Sequence, residues 1–388
     1  MFAEARRMGL FSGAVFYEMT EIANERRSTG KPVIDLGIGS PDMPPPGIMP
    51  ATLKQALDES GIFGYQRTEG TEALKQAISN FLSRRYQVPV SPDSEVLVTM
   101  GAQDALAHLA LAFINPGDIV LIPDPGYPIY EVAVHLAGGI PYFLPLNEGN
   151  HFLPDFQSIP ADILKKAKML VLNFPSNPTS AVATPDFFDE VVEFAIQNHL
   201  MVIHDAAYIE LVFDGYKAPS FLHTPGAIDV GIELHSFSKT FNFAGPRLAF
   251  AAGNRQILMA LGKLKSQIDY GVFSAIQAAG SKALENADDF IALNRMEYQL
   301  RRDALLTPII NSGWPIKKPK GTMFIWLKTP NQMDSRQFAK KLLQETGVIT
   351  VPGIGFGKEG EGYVRIALVQ PADRLKQIGE TMASYTLL

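Results

Sequence analysis

SEVLVTMGAQDALAHLALAFI, residues 94–114, changes its period in the middle. Its first half is a short apolar run centred on Val96-Leu97-Val98, of the kind that a sheet buries on both faces. Its second half, from Ala102, repeats apolar residues at helical spacing. The same switch recurs on either side. DIVLIP (118–123) is followed by YPIYEVAVHLA (127–137), and IPYFLPL (140–146) and KMLVLNF (168–174) are further strand runs. TPDFFDEVVEFAIQNH (184–199) reads as a helix with Thr184 as N-cap and Pro185 at its first position. LMVIHD (200–205), GIELHSF (231–237) and RLAFAAG (247–253) complete the series. Short apolar runs separated by amphipathic helices predict an α/β fold, a mostly parallel sheet covered by helices.

In such sheets ligands bind at the carboxyl ends of the strands. The residues there are Gly101-Ala102-Gln103, Asp124-Pro125-Gly126-Tyr127, Asn177-Pro178-Thr179, Asp205 and Ser236 to Lys239. From about residue 285 the texture changes. ADDFIALNRMEYQLRRDALLTPI (287–309) predicts a long amphipathic helix with much of its charge on one face, and GTMFIWLK (321–328) and GYVRIALV (362–369) predict strands around the helix SRQFAKKLLQET (335–346). The expected division is an N-terminal arm (1–45) packing with a small C-terminal domain (285–388), and a large domain (46–284) between them.

The chain has 388 residues, 46% of them hydrophobic and 19% charged, with a net charge of −6. That balance suits a well-packed globular protein and argues against nucleic acid as the main partner. Cysteine is absent, which excludes disulfides, thiolate nucleophiles and thiolate-bound metal. The first residues do not read as a signal peptide and no apolar run spans a bilayer, so a cytoplasmic protein without membrane contact is expected. No pair of histidines has the H-E-x-x-H spacing, so no metal is expected.

The chemistry centres on HSFSKTFNFAGPRLAF, residues 235–250. Lys239 there is either a solvated charge at a strand end or a reactive amine. Backbone N–H groups at Ala102 and Gln103, hydroxyls at Ser236 and Ser238, and the fork of Arg247 suit a phosphate dianion. A lysine near such positive charge, partly desolvated, has a lowered pKa and attacks carbonyls. Asp205 is either a helix N-cap or a carboxylate for a pyridine nitrogen. Tyr208 and Asn177 suit the ring's 3-oxygen, and Tyr127 suits its face.

Taken together these motifs resemble the aminotransferases of pyridoxal-phosphate fold type I, the aspartate aminotransferase superfamily. The resemblance runs from LGIGSPDMPPP (36–46) to GYVRIAL (362–368). DPGYPIY (124–130), FDGYKAPSFL (213–222) and ELHSFSKTFN (233–242) look closest to the branch with LL-diaminopimelate, methionine- or alanine-type enzymes. It implies pyridoxal 5′-phosphate as cofactor and ping-pong transfer between an L-amino acid and a 2-oxo acid, with glutamate/2-oxoglutarate as one pair. Lys239 would be the Schiff-base lysine and proton shuttle, Asp205 the partner of the pyridine nitrogen, and Asn177 and Tyr208 the donors to the 3-oxygen. Tyr127 would stack on the ring, and Ala102, Gln103, Ser236, Ser238 and Arg247 would hold the phosphate. Arg365 would clamp the substrate carboxylate, with the Gly39 backbone closing over it. Tyr65 would reach the phosphate of the neighbouring subunit in a homodimer. A carbon–sulfur β-lyase on the same fold, or a non-catalytic regulatory relative, would keep the cofactor contacts.

Two positions depart from the family. Ser180 stands where Gly usually follows Asn-Pro-Thr, and Pro246 replaces a frequent tryptophan before Arg247. Arg67 and Lys265 are candidates for a distal substrate carboxylate. Gly355 to Gly360 fits G-x-G-x-x-G but precedes a strand instead of opening a helix, and Ser236-Phe237-Ser238-Lys239 fits S-x-x-K without its companion motifs.

Overall fold

In the computed structural model, which describes residues 2–11, 14–59 and 61–384, the alternating runs become a seven-stranded sheet. The strands in chain order are β1 (Ile34–Asp35), β2 (Val96–Thr99), β3 (Ile119–Asp124), β4 (Ile140–Pro145), β5 (Ala167–Asn173) and β6 (Met201–Asp205). They continue with β7 (Gly231–Ser236), β8 (Ala249–Gly253), β9 (Phe324–Lys328), β10 (Val348–Ile349), β11 (Val351–Pro352) and β12 (Tyr363–Ala367). The large sheet is ordered β2-β8-β7-β6-β5-β3-β4, and β8 alone runs against its neighbours. The expected mostly parallel α/β fold is therefore present.

Strand alternation explains the burial. Leu121, Leu170, Leu172 and Val202 enter one core, while Val120, Ile122, Met169, Val171 and Ile203 enter the core on the opposite face. The chain order reverses between β3 and β5, which opens a crevice at their carboxyl ends. Thr184 caps the helix Pro185–Asn198 by accepting the Phe187 N–H at 3.3 Å.

A second core joins Met19, Ala23 and Leu36 to Tyr298, Phe338, Leu342 and Val364. β1 pairs in parallel with β10, and β11, β12 and β9 form an antiparallel sheet. The long helix is present over Ala287–Asn311, but its charge does not all face solvent. Arg301 and Arg302 are buried. Arg301 pairs with Asp42 and donates to the Leu368 carbonyl, and Arg302 pairs with Asp214 and donates to the Pro319 carbonyl. Periodicity alone does not show this, because the partners are distant in sequence. The G-x-G-x-x-G stretch is a packing device: a Cβ on Gly360 would lie 2.1 Å from the Gly353 oxygen, and one on Gly357 (φ +128°) 2.0 Å from an Asp124 oxygen.

Under the crevice lies a buried polar cluster that aligns β6 and β7. The Glu233 carboxylate accepts from Ser220 Oγ (2.9 Å) and Phe221 N (2.8 Å) and meets His204 Nδ1 (2.9 Å) and His235 Nε2 (2.6 Å). The other nitrogen of His204 faces the Phe174 carbonyl at 3.0 Å. His204 thus has an acceptor on each side of its ring. These contacts hold the Glu233 carboxyl well below its ordinary 4.5 despite burial, which opposes ionisation. The depressed carboxyl contributes stability that is complete above about pH 4.5 and is lost as pH falls further. Glu233→Gln is expected to cost about 1.5–3 kcal/mol, because it replaces the buried charged acceptor shared by Ser220, Phe221 N–H and the two imidazoles. Urea unfolding at pH 7 measures this, and a loss below about 1 kcal/mol would contradict the assignment.

Candidate active site

One cavity of about 1110 Å³ opens at the carboxyl ends of the strands. Its lining includes Gly39, Ala102, Gln103, Tyr127, Asn177, Asp205, Tyr208, Ser236, Ser238, Lys239, Arg247 and Arg365. Tyr65 is apart from it, 94% exposed, with its ring centroid 5.3 Å from that of Tyr270.

The anion end is built from two strand-to-helix turns. Gly101 has φ +96° and precedes the helix Ala102–Phe113, whose first N–H groups have no intrahelical partners. A Cβ on Gly101 would lie 2.4 Å from Arg247 Nη2, so the glycine lets the guanidinium settle against the turn. Ser236 ends β7 and accepts the Ser238 N–H at 3.2 Å. Two hydroxyls, a helix start and a guanidinium line one end of the cavity, which is a donor set for phosphate.

Lys239 follows within the same turn and is largely desolvated. Its Nζ donates to the Gly39 carbonyl at 2.5 Å. Burial, then the charges of Arg365 and Arg247, lower its pKa from 10.5 to about 8. At pH 7.5 about a quarter of such amines are neutral, against roughly one in a thousand at the ordinary value. The cofactor-free protein is therefore expected to capture pyridoxal phosphate faster as pH rises through about 8, levelling above it. A rate that climbs only near pH 10 would contradict a desolvated amine.

Asp205 ends β6. No helix follows it, so the N-cap reading does not apply. Its Oδ2 accepts from the Tyr130 hydroxyl at 2.8 Å and its Oδ1 from the Ala207 N–H at 3.2 Å. Burial raises its pKa, and those two donors oppose the shift. A buried carboxylate that lines the cavity and makes no ion pair among the described residues is matched to a cationic ring nitrogen. Burial also raises the phenols of Tyr208 and Tyr127. The Tyr127 hydroxyl donates to Gln103 Oε1 at 3.2 Å, which links the ring wall to the anion turn.

Arg365 lies on β12, sandwiched between Phe324 and Phe356 with its guanidinium carbon 4.2 and 4.6 Å from the ring centroids. Nη1 donates to Asn177 Oδ1 at 2.8 Å and Nη2 to the Gly37 carbonyl at 2.6 Å. Burial lowers its pKa to about 10, so it stays charged near neutrality, and its Nε–H is buried with no partner among the described residues. A fixed, underused fork of this kind suits a planar carboxylate. Gly39 must be glycine, since a Cβ would lie 2.4 Å from the Phe324 ring.

Four contributors escaped the sequence reading: Tyr130, Asn173, Phe324 and Phe356. Asn173 donates to the Asp205 carbonyl at 2.7 Å and accepts the Asn177 N–H at 2.7 Å. Tyr130 was traceable, being three residues after Tyr127 on a helical start. The two phenylalanines carried no local signal. The candidate distal cations fare differently from one another. Lys265 is fully buried between Asp269 (2.7 Å) and Asp104 (3.2 Å), so it is not available to a substrate. Together with His108 those aspartates are the one group of metal-ligand type among the described residues, and the Lys265 ammonium already supplies a cation there. Arg67 is exposed and pairs with Glu72. Ser180 does adopt the left-handed turn (φ +60°) that usually takes glycine.

Residues 31–378 match the family of class I and II aminotransferases. The LL-diaminopimelate aminotransferase of Moorella thermoacetica is 43% identical over 98% of this chain and 97% of its own. The substrate-bound BacF structure from Bacillus subtilis superposes with a TM-score of 0.95 at 36% identity, covering 99% of this chain and 98% of that one. An aspartate aminotransferase variant from Thermus thermophilus superposes at 0.91 with 26% identity, covering 99% and 100%.

Proposed function

The chain belongs to the class I and II aminotransferases, a pyridoxal-phosphate-dependent family, and from that premise we propose which of its residues carry the transfer and what it transfers. The observation that carries the reading is the shared cavity of Lys239, Asp205 and Arg365. When bound, pyridoxal phosphate supplies an electron sink for the bond at Cα. In this reading Ala102, Gln103, Ser236, Ser238 and Arg247 hold its phosphate, and Asp205 keeps its nitrogen protonated. Asn177 and Tyr208 donate to its 3-oxygen and Tyr127 covers its face. Arg365 binds the substrate carboxylate and so fixes which bond at Cα is aligned for cleavage. The Lys239 amine, lowered toward neutrality, would take the Cα proton and return it to C4′ of the cofactor.

For the substrate we infer a diamino dicarboxylic acid of the LL-diaminopimelate type with 2-oxoglutarate as acceptor. The support is the 43% identity to an enzyme of that name and its like across nearly whole chains. Glutamate should form from LL-diaminopimelate and 2-oxoglutarate with a kcat/KM at least about tenfold above that with methionine, alanine or aspartate donors. Equal rates for the simple donors would refute the substrate, and product released without any 2-oxo acid would favour the lyase alternative, which the relatives do not support.

We further infer a homodimer in the cytoplasm, with Tyr65 serving the partner's phosphate site. Exposed Tyr65, Phe63, Ile268 and Tyr270 support it as surface that a second copy would cover. No helix among the described residues is long and apolar enough to cross a membrane. Sedimentation at micromolar concentration tests the dimer, and an active monomer would end it.

A further inference from the structure

Ser180 and Thr322 meet with both backbones in the left-handed region, at φ +60° and +70°. Both are buried, and neither is glycine. A β-branched residue there is a conformational outlier that the surroundings must hold in place. What holds the pair is a clasp. Ser180 Oγ lies 2.9 Å from Thr322 Oγ1 and 2.8 Å from the Phe324 carbonyl, and the Phe324 N–H donates to Thr322 Oγ1 at 3.1 Å. One proton arrangement serves all three contacts: Thr322 donates to Ser180, and Ser180 donates to the Phe324 carbonyl.

The two sides of the clasp lead to one guanidinium. Ser180 closes the turn whose Asn177 accepts from Arg365 Nη1. Phe324 is the ring lying 4.2 Å from the Arg365 guanidinium carbon, and it also packs edge-on against Tyr208. Ser180 therefore ties the in-plane partner of the fork to the platform beneath it, and spans the join between the large sheet's loops and β9. A glycine at 180 would fit the turn with less strain but could make neither contact.

We propose that Ser180 is a positioning residue for the substrate carboxylate, setting the tilt of Arg365 through the clasp to Phe324. The proposal rests on the reading of Arg365 as the carboxylate residue. The test compares the holoenzyme with Ser180→Gly, Ser180→Ala and Arg365→Ala, measuring KM and kcat for the amino donor and for 2-oxoglutarate, and Tm. Ser180→Gly and Ser180→Ala should each raise both KM values about three- to tenfold, the range of one buried hydrogen bond. Turnover should stay within about twofold and the bound cofactor should be unchanged. Because glycine relieves the left-handed strain, the Tm of Ser180→Gly should be no lower than that of Ser180→Ala. A role in folding alone would move Tm and leave KM where it was, which would overturn the proposal, as would a lower kcat at unchanged KM. If Arg365→Ala raises both KM values and Ser180→Gly does not, the clasp alone falls. If Arg365→Ala leaves them unchanged, the carboxylate site itself is misplaced.

Discussion

Lys239→Ala is expected to lower the turnover of every amino donor by about 10⁴-fold or more. The size follows from losing both covalent attachment and the positioned base. Two nearby cations offer no substitute base: Lys265 is locked between Asp104 and Asp269, and Arg365 stays protonated near neutral pH. The cavity should still bind pyridoxal phosphate, because the phosphate donors and Asp205 are untouched. The signature is thus a coloured, inactive protein from which the cofactor dialyses away. Residual activity above about one hundredth of wild type would show that another group moves the proton.

The second large effect is at Arg365. Its removal takes away a two-pronged, charge-assisted contact worth about 3 kcal/mol, or roughly a hundredfold in KM for amino and 2-oxo acids alike. Arg365→Lys should recover only part of this, since an ammonium cannot present parallel donors or fill the space between Phe324 and Phe356. Cofactor content should be unchanged in both variants. Loss of cofactor from Arg365→Ala would assign the residue to the wrong half of the cavity.

The fold was legible because strand and helix periods alternate cleanly, as at 94–114, and because the turns between them are marked by Gly, Pro, Asp and Asn. Most residues gathered at the cavity were legible for the same reason: Ala102, Gln103, Tyr127, Asn177, Asp205, Tyr208, Ser238 and Lys239 follow strands, and parallel strands deliver their carboxyl ends to one edge, whereas Arg247 precedes β8 and Arg365 lies within β12. What stayed hidden depends on long-range contact. Phe324 and Phe356 carried no local signal, and only the fold of β9 and the turn after β11 brings their ring centroids to 4.2 and 4.6 Å from the Arg365 guanidinium carbon. The burial of Arg301 and Arg302 left no local sign, because Asp42 and Asp214 lie far away in sequence. Lys265 looked available because Asp104, 161 residues away, reaches it only through the packing of its helix on Ala102–Phe113, although Asp269 lies four residues on. The departure at Ser180 was visible, but the clasp it makes was not, since Thr322 lies 142 residues away.

The most direct test of the account is borohydride reduction of the purified, coloured protein followed by peptide mass mapping. A single reduced pyridoxyl phosphate adduct on Lys239 is predicted, and a separate, unreduced sample is predicted to lose its colour with LL-diaminopimelate. An adduct on any other lysine, or a protein that remains colourless when pyridoxal phosphate is added, would contradict it.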